Sequence, residues 1–188
     1  MARIPYPDLD TLSAEARDML ARLPASTNIF NMMAHAETWL KPVMKLGGTL
    51  LGKLQLDPKL RELCLLHAVN LVGGEYEWVQ HVPIVRDLGA SEAQVAALRQ
   101  KDDTAGCFTD AEKAALCFTR EMVLDIRASE QVLGAARGHF SEREIVELIV
   151  LAGFYTMLAR LTETLSVETD PPLGSALVKG IAARVKSK

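Results

Sequence analysis

The sequence lacks most of the motifs by which enzymes hold a redox pair, a metal or a nucleotide. It has no CxxC, and its three cysteines, Cys64, Cys107 and Cys117, lie far apart among apolar neighbours. This pattern is typical of buried thiols rather than of a disulfide framework or a zinc site. The sequence also lacks HxxxH, HExxH, GxSxG, a glycine-rich phosphate loop and a dinucleotide fingerprint. We therefore expect no metal and no cofactor.

An excess of positive charge and a long uncharged apolar run are also missing. The net charge is −3, with acids and bases mixed along the chain, so no positive surface is expected to bind nucleic acid. No signal peptide is evident, and no window reaches the roughly 18 apolar residues of a membrane span. We expect a cytoplasmic protein without a membrane partner. The length of 188 residues and a hydrophobic content of 49% predict one globular domain, 1–188.

Alternating strand patterns are absent, and the apolar residues recur at helical spacing, which predicts an all-α fold. Capping boxes at Ser91, Thr109 and Ser141 mark helix starts, and Asp57 before Pro58 marks another. The first helix is expected to be capped by Ser13 and ended by Pro24. Further helices are predicted over 28–35, over 40–54 with an interruption at Gly47 and Gly48, and over 58–72, 75–88, 129–137, 144–165 and 173–185.

The run "RELCLLHAVNLVGGEYEWVQH", 61–81, holds the candidate site. Its first helix is apolar on nearly every side, and Gly73 and Gly74 should fold the next helix back against it. Glu77 and His81 are four residues apart on one helical face, and Glu62 would lie opposite His81. A carboxylate beside an imidazole fixes its tautomer and prepares it to move a proton near neutral pH. The three residues are therefore candidates for acid–base catalysis.

A structural interpretation of the same residues stays open. A glutamate in the first turns of a helix favours the positive end of the helix dipole, and Glu–His pairs at this spacing are common on surface helices. Burial argues for a role, because ionisable groups lose solvation beside so apolar a helix. His67 is expected to be hydrogen-bonded within the structure, and His139 to lie at the surface. Candidates for a substrate pocket, which could equally be core or interface residues, are His35, Tyr76, Trp78 and Tyr155.

The segments "RIPYPDL", "LDPKLREL" and above all "YEWVQHVPIVRDLG" resemble the carboxymuconolactone decarboxylase family, over about 3–168. The resemblance implies the alkylhydroperoxidase D-like (AhpD-like) bundle of antiparallel helix pairs. The core would span about 38–165, with added N-terminal helices and a C-terminal extension over 166–188. It also implies a homo-oligomer, as a dimer, trimer or hexamer, that acts on a small molecule.

The peroxidase branch of that family has a CxxC, three further residues and a histidine, with a glutamate upstream. His81 and Glu62 match the last two, but Gly74 and Glu77 occupy the cysteine positions. The resemblance therefore favours the non-redox branch, whose activity is decarboxylation of a carboxylated muconolactone in aromatic catabolism. It implies His81 as general acid and base, Glu77 as its orienting carboxylate or a second proton carrier, and Glu62 as the group that fixes the imidazole.

Other activities remain open at this point. The substrate could be another lactone, enol or unsaturated acid, and the reaction an isomerisation or a hydration. An alkylhydroperoxidase-like antioxidant activity is an alternative that the missing thiols disfavour. A non-catalytic helical oligomer that binds a small molecule is another.

Overall fold

The computed structural model describes residues 1–23 and 25–174, and within them the fold is all-α. This confirms the predicted fold class. Short 3-10 turns at Leu9–Thr11 and Ala34–Ala36 complete the helical structure. The α-helices are α1 (Ala14–Ala21), α2 (Asn28–Met33), α3 (Glu37–Gly52), α4 (Pro58–Leu71), α5 (Glu75–Asp87), α6 (Glu92–Arg99), α7 (Asp110–Asp125), α8 (Glu130–Arg137) and α9 (Glu142–Leu165).

Local sequence explains where most of these helices begin. Asp57 accepts a hydrogen bond from the amide of Leu60, and Pro58 occupies the first turn of α4. The capping boxes of α6, α7 and α9 are complete, because each hydroxyl and each third-residue side chain makes its bond. These helix starts were predicted and are confirmed.

The predicted interruption of the third helix is wrong. α3 runs unbroken through Gly47 and Gly48. A Cβ atom at Gly47 would lie 3.3 Å from the ring of Phe154, so the missing side chain permits close packing against α9. A tertiary contact therefore explains this glycine. The predicted stop at Pro24 and nearly all of the predicted last helix, from residue 175 onward, lie outside the described residues.

The centre of the fold is α4, which is buried from Leu60 to Asn70 and packs against α5, α7 and α9. Gly73 adopts a φ of +80°, which a side chain disfavours, and the chain reverses there into α5. α4 and α5 therefore form the predicted antiparallel pair. This arrangement brings the first turns of α4 opposite the second half of α5.

α9 forms the other wall of this centre. It is the one helix of the described part that is long and apolar enough to cross a membrane by length and composition. However, 61% of the apolar 18-residue stretch of α9 is buried inside the protein. Glu147 of α9 also accepts hydrogen bonds from the amides of Gln55 and Leu56. These contacts are those of a core helix.

A segment after α9 ties the two ends of the described chain together. The carboxylate of Glu168 accepts hydrogen bonds from the amide of Ala2 and the hydroxyl of Tyr6. The carboxylate of Asp170 accepts from the hydroxyl of Tyr76 on α5. The segment therefore holds the N-terminal residues and α5 against the end of α9.

Candidate functional site

The site begins with an ion-paired glutamate on α4. Glu62 is fully buried, and one of its oxygens accepts two hydrogen bonds from the Arg61 guanidinium, at 3.1 and 3.0 Å. Its other oxygen lies 2.7 Å from Nδ1 of His81 on α5. Arg61 also donates to the carbonyl of Leu51, which fixes the guanidinium. The result is a chain of three charged or polar side chains, Arg61, Glu62 and His81, inside the bundle.

Electrostatics keep Glu62 ionised. Burial by itself raises the pKa of Glu62, but the charge and hydrogen bond of His81, together with Arg61, outweigh burial and lower the pKa overall. An ionised Glu62 accepts a hydrogen bond, so Nδ1 of His81 carries the proton and Nε2 is the nitrogen left for chemistry. Nε2 makes no hydrogen bond within the described residues, and the His81 side chain keeps 8% of its surface exposed.

Glu77 lies one turn before His81 and has a different environment. Glu77 is 2% exposed, and the hydroxyl of Thr162 on α9 lies 3.2 Å from both of its carboxylate oxygens. Burial raises the pKa of Glu77 to about 7, against the lowering effects of its hydrogen bonds and of His81. Glu77 can therefore hold or release a proton near neutral pH. Glu77 and His81 share a helix, but within the described residues no hydrogen bond joins them.

Tyr155 of α9 forms the apolar wall beside the imidazole. The ring centroids of Tyr155 and His81 lie 5.0 Å apart, at an interplanar angle of 84°. Burial raises the pKa of the Tyr155 phenol well above its ordinary value, so it stays neutral. An edge-on aromatic contact of this kind fixes the orientation of the imidazole.

Gly74, which occupies the first cysteine position of the peroxidase branch, has no room for a side chain. A Cβ atom at Gly74 would lie 2.7 Å from the Cβ of Ala159 and 3.1 Å from a carboxylate oxygen of Glu77. The fully buried thiol, Cys64, has its pKa raised to about 12, mainly by burial, and therefore stays protonated. The packing thus agrees with the absence of a redox pair from the sequence.

Three of the predicted pocket residues make contacts with other parts of the fold. His35 is exposed and bonds the carbonyl of Pro5, Tyr76 donates to Asp170, and Trp78 stacks under the Arg99 guanidinium at 4.9 Å. Neighbours of Glu77 on α5 project from other sides of the helix, because successive residues are about 100° apart. These side chains bind other parts of the fold.

Two residues of the site, Arg61 and Thr162, were not predicted from the sequence. Arg61 directly precedes Glu62, and a charged pair at the start of so apolar a helix was a usable signal. Thr162 is 85 residues away from Glu77, and no local pattern indicates that they meet. Among the described residues, no group of three or more His, Cys, Asp or Glu could hold a metal ion.

Fold and site together define an all-α protein with a carboxylate–histidine pair on an antiparallel helix hairpin. The model of the Carboxymuconolactone decarboxylase family matches residues 37–121, which include Glu62, Glu77 and His81. Residues 37–121 belong to this family, and the chain as a whole has the AhpD-like fold. The resemblance inferred from the sequence is confirmed at this level.

Solved structures show the same fold at low sequence identity. An uncharacterized peroxidase-related protein with an alkylhydroperoxidase AhpD core, from Ralstonia eutropha JMP134, has a TM-score of 0.77 and 18% identity; the match covers 90% of this chain and 92% of that one. A putative antioxidant defence protein AhpD from Agrobacterium tumefaciens has a TM-score of 0.69 and 22% identity, over 74% of this chain and 96% of that one.

A third similar structure is that of a debrominase. A cysteine-to-alanine variant of the debrominase Bmp8, in complex with 2,3,4-tribromopyrrole, has a TM-score of 0.69 and 14% identity, over 92% of this chain and 90% of that one. No curated protein matches the sequence. Similar folds therefore occur in proteins described as peroxidase-related and in a debrominase.

Proposed function

We propose that the protein is a cofactor-independent lyase that acts on a small carboxylated lactone or a related product of aromatic ring cleavage. The observation that carries this proposal is the 2.7 Å contact between Glu62 and Nδ1 of His81, which leaves Nε2 of the imidazole to exchange a proton. An imidazole held in this way is a suitable general acid and base, since its neighbouring carboxylate fixes the tautomer and the orientation of the ring.

The chemistry would consist of one bond cleavage and one proton transfer. As the bond between the ring and the carboxylate breaks, its electron pair passes into the conjugated lactone, and carbon dioxide leaves. The enolate that results takes a proton at carbon from Nε2 of His81 in its imidazolium form, which carries a proton on each ring nitrogen, and Nε2 then regains a proton from water. Glu62 keeps the imidazole in position throughout, and Glu77 serves as a second proton carrier.

The environment of Glu77 supports this assignment. Its pKa of about 7 reports that burial disfavours negative charge at this place. A substrate carboxylate that enters such surroundings loses hydration, which favours a transition state in which the charge spreads into the ring. The neutral form of Glu77 would also avoid repelling that carboxylate.

The packing at Gly74 disfavours the alternative dithiol peroxidase activity. A non-catalytic binding module remains the competing proposal, because it would use the same residues without proton transfer. In the catalytic proposal the enzyme works in the cytoplasm, in the catabolism of aromatic compounds.

The test is carbon dioxide release from a panel of carboxylated lactones at pH 5 to 9. For a substrate of the wild-type enzyme we expect the His81→Gln variant to lose at least about 10³-fold in kcat, because the proton carrier is removed. His139→Gln is the matched control, since His139 is exposed and lies in the turn between α8 and α9. Turnover retained by the His81 variant would refute the role of the imidazole. Ligand binding without turnover, unchanged in that variant, would support a binding module.

A further inference from the structure

Thr162 of α9 places one hydroxyl group among four oxygen atoms. Its Oγ1 lies 3.2 Å from each carboxyl oxygen of Glu77, 3.2 Å from the carbonyl oxygen of Ala159 and 3.3 Å from that of Leu158. Thr162 is 2% exposed, so bulk water does not replace these contacts. A hydroxyl carries one hydrogen and can make one full hydrogen bond as a donor, although it can also accept. A second hydrogen, on Glu77, would therefore allow a second hydrogen bond in this cluster.

The carboxyl group of Glu77 lies in a niche whose other walls are small or apolar. A Cβ atom at Gly74 would lie 3.1 Å from Oε2 of Glu77 and 3.3 Å from the Cβ of Val69, and it would lie closer still to Ala159. The missing side chain at position 74 therefore gives this carboxyl group its space. Gly74 and Glu77 stand at the two cysteine positions of the peroxidase branch, so these two departures from the dithiol pattern complement each other. Thr162 adds a hydrogen-bonding group from a second helix.

Both protonation states of Glu77 need a hydrogen-bonding partner, because neither state dominates near neutral pH. Burial raises the pKa of Glu77 to about 7; His81 on α5 lowers this pKa and Glu163 on α9 raises it. The neutral phenol of Tyr155 on α9 is also close, and α4 presents the apolar Val69. A partner that can only donate, or only accept, would favour one protonation state. A hydroxyl group can do both.

We propose that Thr162 is a positioning residue that holds the carboxyl group of Glu77 in both protonation states by reversing the hydrogen bond between them. When Glu77 is ionised, the Thr162 hydroxyl donates to the carboxylate. When Glu77 is neutral, its O–H donates to Oγ1 of Thr162, and the Thr162 hydrogen turns to the carbonyl of Ala159 or Leu158. The proton of Glu77 can therefore be released and regained by rotation of one hydroxyl group, without movement of a helix. The hydrogen-bond reversal does not depend on the reaction, whereas its use in catalysis rests on the proposed function.

The first test is titration of the Glu77 carboxyl carbon by carbon-13 NMR in the full chain, between pH 5 and 9. We expect Thr162→Val to raise the pKa of Glu77 from about 7 to about 8, because the hydrogen bond to the ionised form is the stronger of the two. Thr162→Ser keeps the hydroxyl and should titrate as the wild type does. Thr156→Val is the matched control: Thr156 lies on the same helix, is 7% exposed and donates to the carbonyl of Gly153.

Three results of this titration would overturn the proposal. The first is an unchanged or lowered pKa of Glu77 in Thr162→Val. The second is a raised pKa in Thr162→Ser, which would assign the effect to packing of the threonine methyl group. The third is an equal rise in Thr156→Val, which would assign it to a general change in α9.

A second measurement needs no substitution at position 162. Because the hydrogen bond reverses, the Cβ carbon of Thr162 in the wild-type protein should titrate with the same midpoint as the carboxyl carbon of Glu77. In Glu77→Gln the Thr162 signal should not change with pH. A Thr162 signal in the wild type that does not follow the titration of Glu77 would contradict the reversal.

Turnover separates this proposal from the proposed function. Where carbon dioxide release depends on Glu77, the pH profile of kcat in Thr162→Val should move upward together with the pKa of Glu77. A protein that shows the expected titrations but releases no carbon dioxide from any lactone would contradict the proposed function and support the role of Thr162.

Discussion

Residues 1–23 and 25–174 include two groups made of an arginine, a carboxylate and a histidine, and these groups differ in how the three side chains meet. In the first, Arg61, Glu62 and His81 are joined by hydrogen bonds of 2.7 to 3.1 Å. In the second, Arg120 lies 3.3 Å from Asp103, and Nε2 of His67 lies 3.7 Å from the same carboxylate. The second distance is too long for a hydrogen bond.

The two histidines also differ in access. His67 is fully buried on α4, and within the described residues neither of its ring nitrogens makes a hydrogen bond. This corrects the prediction that His67 is hydrogen-bonded. The His81 side chain is 8% exposed. Its Nδ1 is bonded to Glu62, whereas its Nε2 makes no hydrogen bond within the described residues. The same residue types therefore form a proton-transfer group only where orientation and access coincide.

The largest expected effect on the stability of the protein comes from a change in the first group, Arg61, Glu62 and His81. Glu62→Gln leaves the buried Arg61 guanidinium without a counter-charge, and we expect it to lower the free energy of unfolding at pH 7 by about 3 kcal/mol. The pKa of Glu62 is lowered in the folded state, so ionised Glu62 contributes fully to the stability of the protein at pH values above its ordinary pKa of 4.5. That contribution is lost as the pH falls through the lower folded value. Urea unfolding from pH 3 to 7 measures the difference.

Asp103→Asn is the matched control for that experiment. The pKa of Asp103 is raised by burial but lowered overall by His67 and Arg120. Because the Arg120 side chain is 39% exposed, water can replace its partner, and we expect a loss of only about 1 kcal/mol. A larger loss for Asp103→Asn than for Glu62→Gln would reverse the comparison.

An intermediate effect of opposite sign is expected at Glu77. Its folded pKa of about 7 lies above the ordinary 4.5, so its contribution to stability is complete below 4.5 and is lost as the pH rises through 7. Glu77→Gln does not titrate and should keep the contact with Thr162. We therefore expect the wild type and the Glu77→Gln variant to have similar free energies of unfolding at pH 4.5. At pH 8 the variant should be more stable than the wild type by about 2 kcal/mol. Thermal unfolding at the two pH values tests this, and a gain that does not depend on pH would contradict the assignment.

The smallest effect is expected at His67. Because His67 makes no hydrogen bond within the described residues, its replacement by Gln should change the free energy of unfolding by less than about 1 kcal/mol. Carbon dioxide release should stay within about twofold of wild type, in contrast to His81→Gln. Loss of turnover in the His67 variant with unchanged stability would show that the second group takes part in the chemistry.

Parts of the fold that depend on neighbours in sequence could be predicted in advance. Asp57, Ser91, Thr109 and Ser141 begin helices because each cap bonds an amide three residues away. The glycine turn after α4 also follows from local conformation. The prediction that Gly47 interrupts a helix was wrong. The glycine permits close packing against Phe154, which is more than one hundred residues away in the sequence.

The sequence alone determined the helices, the antiparallel pair of α4 and α5, and thereby the meeting of Glu62 with His81. Tertiary structure decided the rest of the site: Thr162 faces Glu77, Tyr76 turns to Asp170, and only one of the two buried histidines keeps an accessible nitrogen. The reason is physical. Helix caps and turns are satisfied within a few residues, whereas burial, and with it the pKa of a carboxyl group, depends on side chains that only the packed bundle brings together.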